Sequence, residues 1–569
     1  MIKIRYAISR DICQAVLDAT ENSHQCRSSL QEFPMIHRFA GLSVSLGIAF
    51  FIIHAVSPLL AEDPSPAVSS QKTARPNILF IIADDLNNSL GCYGHPLVKT
   101  PHIDRLAQQS VRFDKAYCTF PLCGPSRNSI LTGLYPNSTG ILQNSQIFRQ
   151  SIPQHSSLPE QFRKAGYFSA RIGKLYHYNV PTSIGTDGHD DPASWELKIN
   201  PAGIDHLQEE DKIHTLTPRQ FGGTLSWYAS PGKDLEHTDG KVATEAELLL
   251  KRFAQHPQQP FFLAVGFYRP HTPFVAPAEP YFGWYDRPQM PLIPGIQEDQ
   301  LDIPKPALAS AKKEQDQLTD PMRQEILQAY FASISFMDAQ VGRVLASLKE
   351  NGLADNTIVV FTSDHGYHLG EHGLWQKQSL FEESARVPLL ISAPGISKAG
   401  QVVTEPVSQV DLYPTLAKLA NIPTPASLQG QSLVSLLTDP QAKGRGWALT
   451  QVMRNQGNPN RAGAAAKKGT AASVPQPQPT SNRFFGYSLR TDKYRYTEWD
   501  DGQRGRELYD HLADPKELNN LAEKPEYAAK ITELSALLKE AVGKSLPPGG
   551  VTPEVSDKDW PPVLAPLRD

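Results

Sequence analysis

The sequence predicts an α/β fold: a large mixed, mostly parallel sheet flanked by helices, followed by a smaller C-terminal α+β subdomain with an antiparallel sheet. Three observations carry this. Near-continuous apolar runs of strand length recur along the chain, as expected of strands buried on both faces. Stretches with helical apolar spacing lie between them. After a segment with no periodicity, the pattern changes to alternation.

In chain order, "NILFIIA" at Asn77–Ala83 is the first buried strand, and "PHIDRLAQQS" is a helix. "SRNSILTG" carries helical spacing closed by Gly133, and Pro125 suits the first turn of that helix. "LPEQFRKAG" reads as a helix and "FSARIG" as a strand. "FFLAVGF" at Phe261–Phe267, "TIVVFTS" at Thr357–Ser363 and "VPLLISA" at Val387–Ala393 complete the expected parallel strands. Between the first two of these, "MRQEILQAYFASISFMDAQVGRVLASLKENG" is a long helix stopped by Gly352. These elements define a main domain over residues 75–454. Asn455 to Asn482 lacks aromatic residues and is rich in Ala, Gly, Pro and Gln, so it cannot bury enough apolar surface to offset chain entropy. It is expected to be a disordered insertion or linker. In the last segment, 483–569, "FFGYSLRTDKYRYTEW" alternates like antiparallel strands and "AAKITELSALLKEAV" is an amphipathic helix.

The N-terminus has a different character. Phe39 to Val56 is an uncharged apolar run, preceded by "MIHR" and followed by "SPLLAED", with a small-residue cleavage site after Ala61. That order predicts an export signal over 35–61 and a linker over 62–74, with 1–34 an upstream extension that is removed or not translated. A signal anchor is the alternative. The expected location is periplasmic or extracellular, or a lysosomal-type compartment in a eukaryote. Cys13 and Cys26 fall in the part expected to be lost, leaving Cys92, Cys118 and Cys123. In an oxidising compartment an odd count leaves one thiol that is reactive or chemically changed, and Cys92 could pair with Cys118. A net charge of -4 gives no basic footprint for nucleic acid or an anionic membrane surface.

Polar chemistry is concentrated where strands end, which is where open parallel sheets bind ligands. The first strand runs into Asp84 and Asp85, "TIVVFTS" into Asp364 and His365, "FFLAVGF" into "YRPH" ending at His271, and "FSARIG" into Lys174 and His177. Three carboxylates in one half-buried cleft demand a cation, because like charges raise one another's pKa. Oxygen donors favour Ca²⁺ or Mg²⁺, with His365 the discordant member. A single "DD" is ordinarily a turn or cap; two such pairs after buried strands point to an ion. Cys123, in "TFPLCGPSRNSILTG", is expected just ahead of a helix N-terminus that favours an anion, with Arg127 on its first turn. A lone buried thiol is a common fate of cysteine, but it requires neither Pro125 nor Arg127.

The pentapeptide "CGPSR" followed by "LTG" resembles the signature of the type I sulfatases, whose cysteine is converted to formylglycine. "LFIIADDLNNSLGCYGHPLVKTPHIDRLA", "GKLYHY", "YRPHTPF", "SDHGYHLGEHGLWQKQSLFEESARVPLL" and "GYSLRTDKYRYTEW" extend the resemblance from about residue 75 to 540. Within the family it is similar to the iduronate-2-sulfatase branch, since His365 stands where most sulfatases carry Asn. The resemblance implies an alkaline-phosphatase-like sulfatase fold and a sulfuric ester hydrolase acting on a sulfated sugar, matured by a formylglycine-generating enzyme. It implies that Asp84, Asp85, Asp364 and His365, with the converted Cys123, hold Ca²⁺, and that a hydroxyl of the hydrated aldehyde attacks sulfur. Arg127, Lys174 and Lys377 would neutralise the sulfate oxygens and the new diol. His271 would protonate the leaving oxygen, and His177 would take a proton from the remaining hydroxyl. The sugar, and the loops of Pro181 to Leu235 that select it, stay open. So do a phosphomonoester or phosphonate hydrolase of the same superfold and a non-catalytic sulfated-glycan binding protein.

Overall fold

In a computed structural model, which describes residues 75–455 and 483–555, the central strand is β1 (Asn77–Ala83). The expected export signal and linkers, and residues 456–482, lie outside the described residues. Seven further strands join β1 in one sheet: β2 (Val111–Phe113), β3 (Phe168–Gly173), β4 (Leu197–Ile199), β5 (Phe261–Gly266), β6 (Thr357–Ser363), β7 (Leu389–Ser392) and β8 (Val402–Val403). Their order is β8-β2-β7-β6-β1-β5-β3-β4. β1, β3, β5 and β6 run parallel, as the sequence predicts, and β4, which the sequence reading does not mark, runs parallel beside β3. β7 runs antiparallel to both β6 and β2. The expected parallel strand at Val387–Ala393 is therefore reversed and shorter. A run buried on both faces carries no direction, and Pro388, without an N–H, separates β7 from Arg386–Val387, which pairs with Ala116–Tyr117 in a small separate sheet.

Alternate residues of β1 face two cores. Leu79 and Ile81 pack with helices α4 (Thr238–Ala254) and α5 (Asp320–Glu350), whereas Ile78, Phe80 and Ile82 pack with α2 (Cys123–Thr132), α3 (Leu158–Lys164) and α6 (Leu412–Leu419). A shorter helix, α1 (Pro101–Gln108), adds Ile103 and Leu106 to the first core. α5 ends at Glu350, with Gly352 in the left-handed region just beyond. No helix among the described residues is long and apolar enough to cross a membrane.

The register fixes where the strands stop. Ala83 lies opposite Ser363, Ile82 opposite Gly266, and Gly266 opposite Gly173, so four carboxyl ends are level. Gly173 and Gly266 allow β3 and β5 to close together there: a Cβ at Gly266 would stand 2.0 Å from the Lys174 carbonyl oxygen.

The C-terminal sheet is antiparallel throughout, β9 (Trp447–Asn455), β10 (Arg483–Thr491), β11 (Tyr494–Trp499) and β12 (Arg506–Asp510) in that order, covered by α7 (Ala528–Ser545). Its first strand precedes the expected insertion, and Asn455, taken as the insertion's first residue from composition, is the last residue of β9, paired with Arg483. Arg490 and Lys493 are engaged by Glu382 and Asp510, and Tyr487 by Asn137. Asn137, part of an "NST" sequon, is itself buried and donates to Ser545 Oγ at 2.7 Å.

Arg495 of β11 ties this sheet to the main domain. Its guanidinium bridges Glu382 and Glu517, and Tyr117 donates to Glu382 at 2.9 Å. Burial would raise the Glu517 carboxyl, but Arg495 and the His511 hydrogen bond outweigh it and hold it at about 2. Arg495→Met should destabilise the protein by about 3–5 kcal/mol near neutral pH, because two buried carboxylates lose their partner. Glu517 is depressed in the folded state, so its contribution is present above the ordinary glutamate range and lost as pH falls toward about 2. Thermal melting across pH should show the gap between wild type and variant closing as the pH drops.

Candidate active site

Helix α2 carries residue 123 into the site. Leu122 is extended and Cys123 is the first helical residue, rather than the residue just ahead of the helix. Pro125 sits in the first turn, where a missing N–H costs nothing, and Gly133 ends the helix with φ 68°. The whole helix is buried.

The level strand ends bring the predicted groups together. Asp84, Asp85, Asp364, His365, Lys174 and Arg127 are fully buried, and His177 and His271 nearly so. Arg127 lies beneath them. Its Nε donates to Asp364 Oδ2 at 2.9 Å, its Nη2 to Asp84 Oδ1 at 2.9 Å and the Ala83 carbonyl at 3.3 Å, and its Nη1 to the carbonyls of Lys174 and Leu175 at 2.7 and 3.2 Å. A guanidinium has five N–H donors, and all five are spent on the protein. In this arrangement Arg127 is a strut that fixes two carboxylates and a strand end. Lys174 Nζ reaches Asp84 Oδ2 at 2.5 Å, so both oxygens of Asp84 are held by cations.

Lys377 follows the two-residue strand Trp375–Gln376 and bends into the cleft between Gln376 and Gln378, which both have positive φ. Its Nζ lies 2.6 Å from Asp85 Oδ1 and 3.1 Å from Cys123 Sγ. Asp85 is itself left-handed, at φ 62°, with its N–H on Asp364 Oδ1 and its carbonyl accepting from Tyr330. Burial raises the Asp85 carboxyl more than Lys377 lowers it. For Asp84 the balance is opposite: burial raises it, but Lys174 and Arg127 together hold it well below the usual carboxylate range. Burial also pushes the Cys123 thiol well up, against Lys174 and Lys377, so an unmodified cysteine here is a neutral thiol.

Asp85, Cys123, Asp364 and His365 offer donor atoms within 4.8 Å of one another. His365 Nε2 is 3.4 Å from Cys123 Sγ, 3.3 Å from Asp85 Oδ1 and 3.7 Å from Asp364 Oδ2. Ligands at right angles around Ca²⁺ stand about 3.3–3.7 Å apart, against about 3 Å around Mg²⁺. The observed spacing fits the larger ion. His365 Nδ1 faces the Gly366 carbonyl at 2.8 Å, which assigns the proton there and leaves Nε2 as a donor of electrons, the arrangement of a metal-binding imidazole. Asp85 Oδ2 is buried with no hydrogen-bond partner among the described residues, a carboxylate oxygen awaiting a cation. Asp84 falls in an adjoining cluster with Asp85 and His271.

His271 Nδ1 is committed to the Thr272 carbonyl, so Nε2 faces the cleft, 3.7 Å from Asp85 Oδ2. His177 stands further off, with Nε2 3.1 Å from Asn179 Oδ1 and its ring against His189. Among the described residues it shares no hydrogen bond with the Cys123 cluster. Burial, and then the nearby lysine charges, hold both imidazoles well below their ordinary pKa. His368 and His372 turn away, onto Ser379 and Asp299. Cys92 and Cys118 are both free thiols.

Sequence reasoning missed the clamp behind His271. Asp239, in the first turn of α4, accepts the N–H groups of Tyr268 and Arg269 at 2.9 Å each, and Arg269 spans from the Pro273 carbonyl to Asp205. An Asp in a first helical turn is ordinary, so no local signal distinguishes it.

A family model described as Sulfatase matches residues 76–422. A sulfatase of Formosa agariphila is 33% identical over 511 residues, covering 86% of this chain and 91% of that protein. The iduronate 2-sulfatases of Mus musculus and Homo sapiens are each 33% identical, over 76% and 74% of this chain and 86% and 84% of theirs. Among solved structures, a phosphonate monoester hydrolase of Agrobacterium radiobacter matches with a TM-score of 0.67 at 24% identity, covering 83% of this chain and 96% of that one.

The donor set makes a prediction independent of turnover. Calcium at 100 times its dissociation constant should stabilise the wild type by ~2.7 kcal/mol relative to protein in chelator. Asp85→Asn should remove most of that shift, as read by thermal melting and by metal analysis of the purified protein.

Proposed function

The chain belongs to the sulfatase family, and from that premise we propose that it removes sulfate from a sulfated sugar by the formylglycine and Ca²⁺ chemistry of the type I enzymes. The observation that carries this is the position of residue 123. Lys377 Nζ and His365 Nε2 approach its side chain at 3.1 and 3.4 Å, with a carboxylate of Asp85 shared between them. When present, the hydrated aldehyde supplies an oxygen nucleophile and the ion, held by Asp85, Asp364, His365 and residue 123 with Asp84 adjoining, supplies the charge that acidifies it.

The chain's own residues divide the remaining work. Cleavage of a sulfate monoester places negative charge on the bridging oxygen, so groups that gain interaction as that bond breaks are the ones that accelerate it. Lys174 and Lys377 bring ammonium groups to the sulfate oxygens, while Arg127 keeps Asp84 and Asp364 fixed beneath them. His271 would present Nε2 as the acid toward the leaving oxygen once the bound anionic ester raises its imidazole and protonates that nitrogen, on a backbone held by Asp239. His177 is the base that takes a proton from residue 123 so that sulfate is released.

The two iduronate 2-sulfatases among the relatives support a uronic acid 2-sulfate in a glycosaminoglycan as substrate, acted on from the chain end, though a different sulfated polysaccharide is served equally by this geometry. Export to the periplasm or extracellular space, and maturation by a formylglycine-generating enzyme, belong to the same proposal. A phosphonate monoester hydrolase shares the fold, so sulfate specificity is a matter for kinetics. In matured protein, 4-nitrophenyl sulfate should be turned over with a higher kcat/KM than 4-nitrophenyl phosphate. Cys123→Ala should lower sulfate turnover by ~10⁴-fold or more with an unshifted melting temperature. Undiminished turnover in that variant would refute the assignment.

A further inference from the structure

Lys312 is a cation at the mouth of the cleft that the reaction above leaves unused. Its own N–H bonds Gln315 Oε1 at 3.2 Å, and Gln315 Nε2 donates to the Trp375 carbonyl at 3.3 Å. The loop is thereby tied to the short strand that delivers Lys377. The Lys312 ammonium donates to the Gly223 carbonyl, which Gln376 Nε2 also approaches, at 3.4 Å. The neighbouring residue, Gly222, lies against the leaving-group side of the site. A Cβ there would be 3.7 Å from His271 Cε1 and only 2.0 Å from the Val180 carbonyl oxygen, with φ already at +69°. Lys312 is thus fixed beside Lys377 on one side and the loop over His271 on the other.

Lys312 is half-buried and forms no ion pair among the described residues. Burial lowers its ammonium to about 8, offset in part by Glu314, with smaller contributions from Lys377, which lowers it, and Asp85, which raises it. A lysine ammonium has three donors, and one carbonyl occupies one of them. Holding a half-buried ammonium near a second ammonium is unfavourable unless an anion arrives to share it. Every other lysine in the cleft already has a carboxylate, Asp84 for Lys174 and Asp85 for Lys377.

We propose that Lys312 is a second anion-binding point, which takes a carboxylate or a further sulfate carried by the leaving sugar. The substrate class is therefore a sugar sulfate with another anionic group close to the scissile one. This rests on the sulfatase reading and on His271 marking the leaving side.

The test compares matured wild type with Lys312→Met on four substrates: 4-nitrophenyl sulfate, a uronic acid 2-sulfate disaccharide, its carboxyl-reduced counterpart, and a disulfated hexosamine. Wild type should favour the uronate over its carboxyl-reduced counterpart, or the disulfated sugar over 4-nitrophenyl sulfate. Lys312→Met should lower that kcat/KM ratio by about 10–100-fold, mainly through KM, as expected for loss of one charge-assisted contact. The affected substrate identifies the anion as carboxylate or sulfate, and either result supports the proposal. A ratio that does not change in Lys312→Met, or a wild type without preference for the anionic sugars, overturns it. Wild type that cleaves no sulfate ester at all overturns the sulfatase reading and this proposal with it.

Discussion

Three carboxylates sealed from water at the ends of two neighbouring parallel strands are the constraint on which this molecule is built. Asp84, Asp85 and Asp364 are fully buried, and such charges persist only when paired and hydrogen-bonded. Three cations meet them: Arg127 pairs with Asp84 and Asp364, Lys174 with Asp84 and Lys377 with Asp85. Each cation comes from a different element, so helix α2, the end of β3 and the segment after Trp375–Gln376 are all bound to the same edge. Arg127 is central because it holds two of the carboxylates and also three carbonyls, which locks helix α2 against β1, β3 and β6 at once.

That near-neutral balance has a chemical consequence. A cluster with excess negative charge would bind a dication too tightly for an anionic ester to compete for the lysines, and a cluster with excess positive charge would hold its sulfate product. On the proposed reading, this balance would let a dication and the ester enter together. Lys377 links the two, since it touches both Asp85 and residue 123. Asp85 Oδ2, which has no hydrogen-bond partner among the described residues, and His365 Nε2, whose ring proton is assigned to Nδ1, are donor atoms that an ion could use without displacing Arg127.

The sequence made the site legible because chemistry stood directly after strands. "NILFIIA" followed by Asp84 and Asp85, and "TIVVFTS" followed by Asp364 and His365, specify both the strands and what their ends carry. What it could not show depends on three dimensions. The direction of β7 is invisible in a run buried on both faces. Arg127 reads as a cation near an anion site, and only the fold shows that its five donors reach two carboxylates and three carbonyls. Strand β9 was hidden because its partner β10 begins beyond residue 482, and cross-strand pairing leaves no local mark across such a gap. Lys312 and Asp239 look like ordinary surface and helix-start residues until the fold places them beside Lys377 and behind His271.

The chemical identity of residue 123 decides the account. Mass spectrometry of the peptide spanning Cys123, from protein that turns over a sulfate ester, measures it directly. The account predicts an aldehyde, trapped by a hydrazide reagent, in proportion to the specific activity of the preparation. A free thiol at that position in fully active enzyme would contradict it.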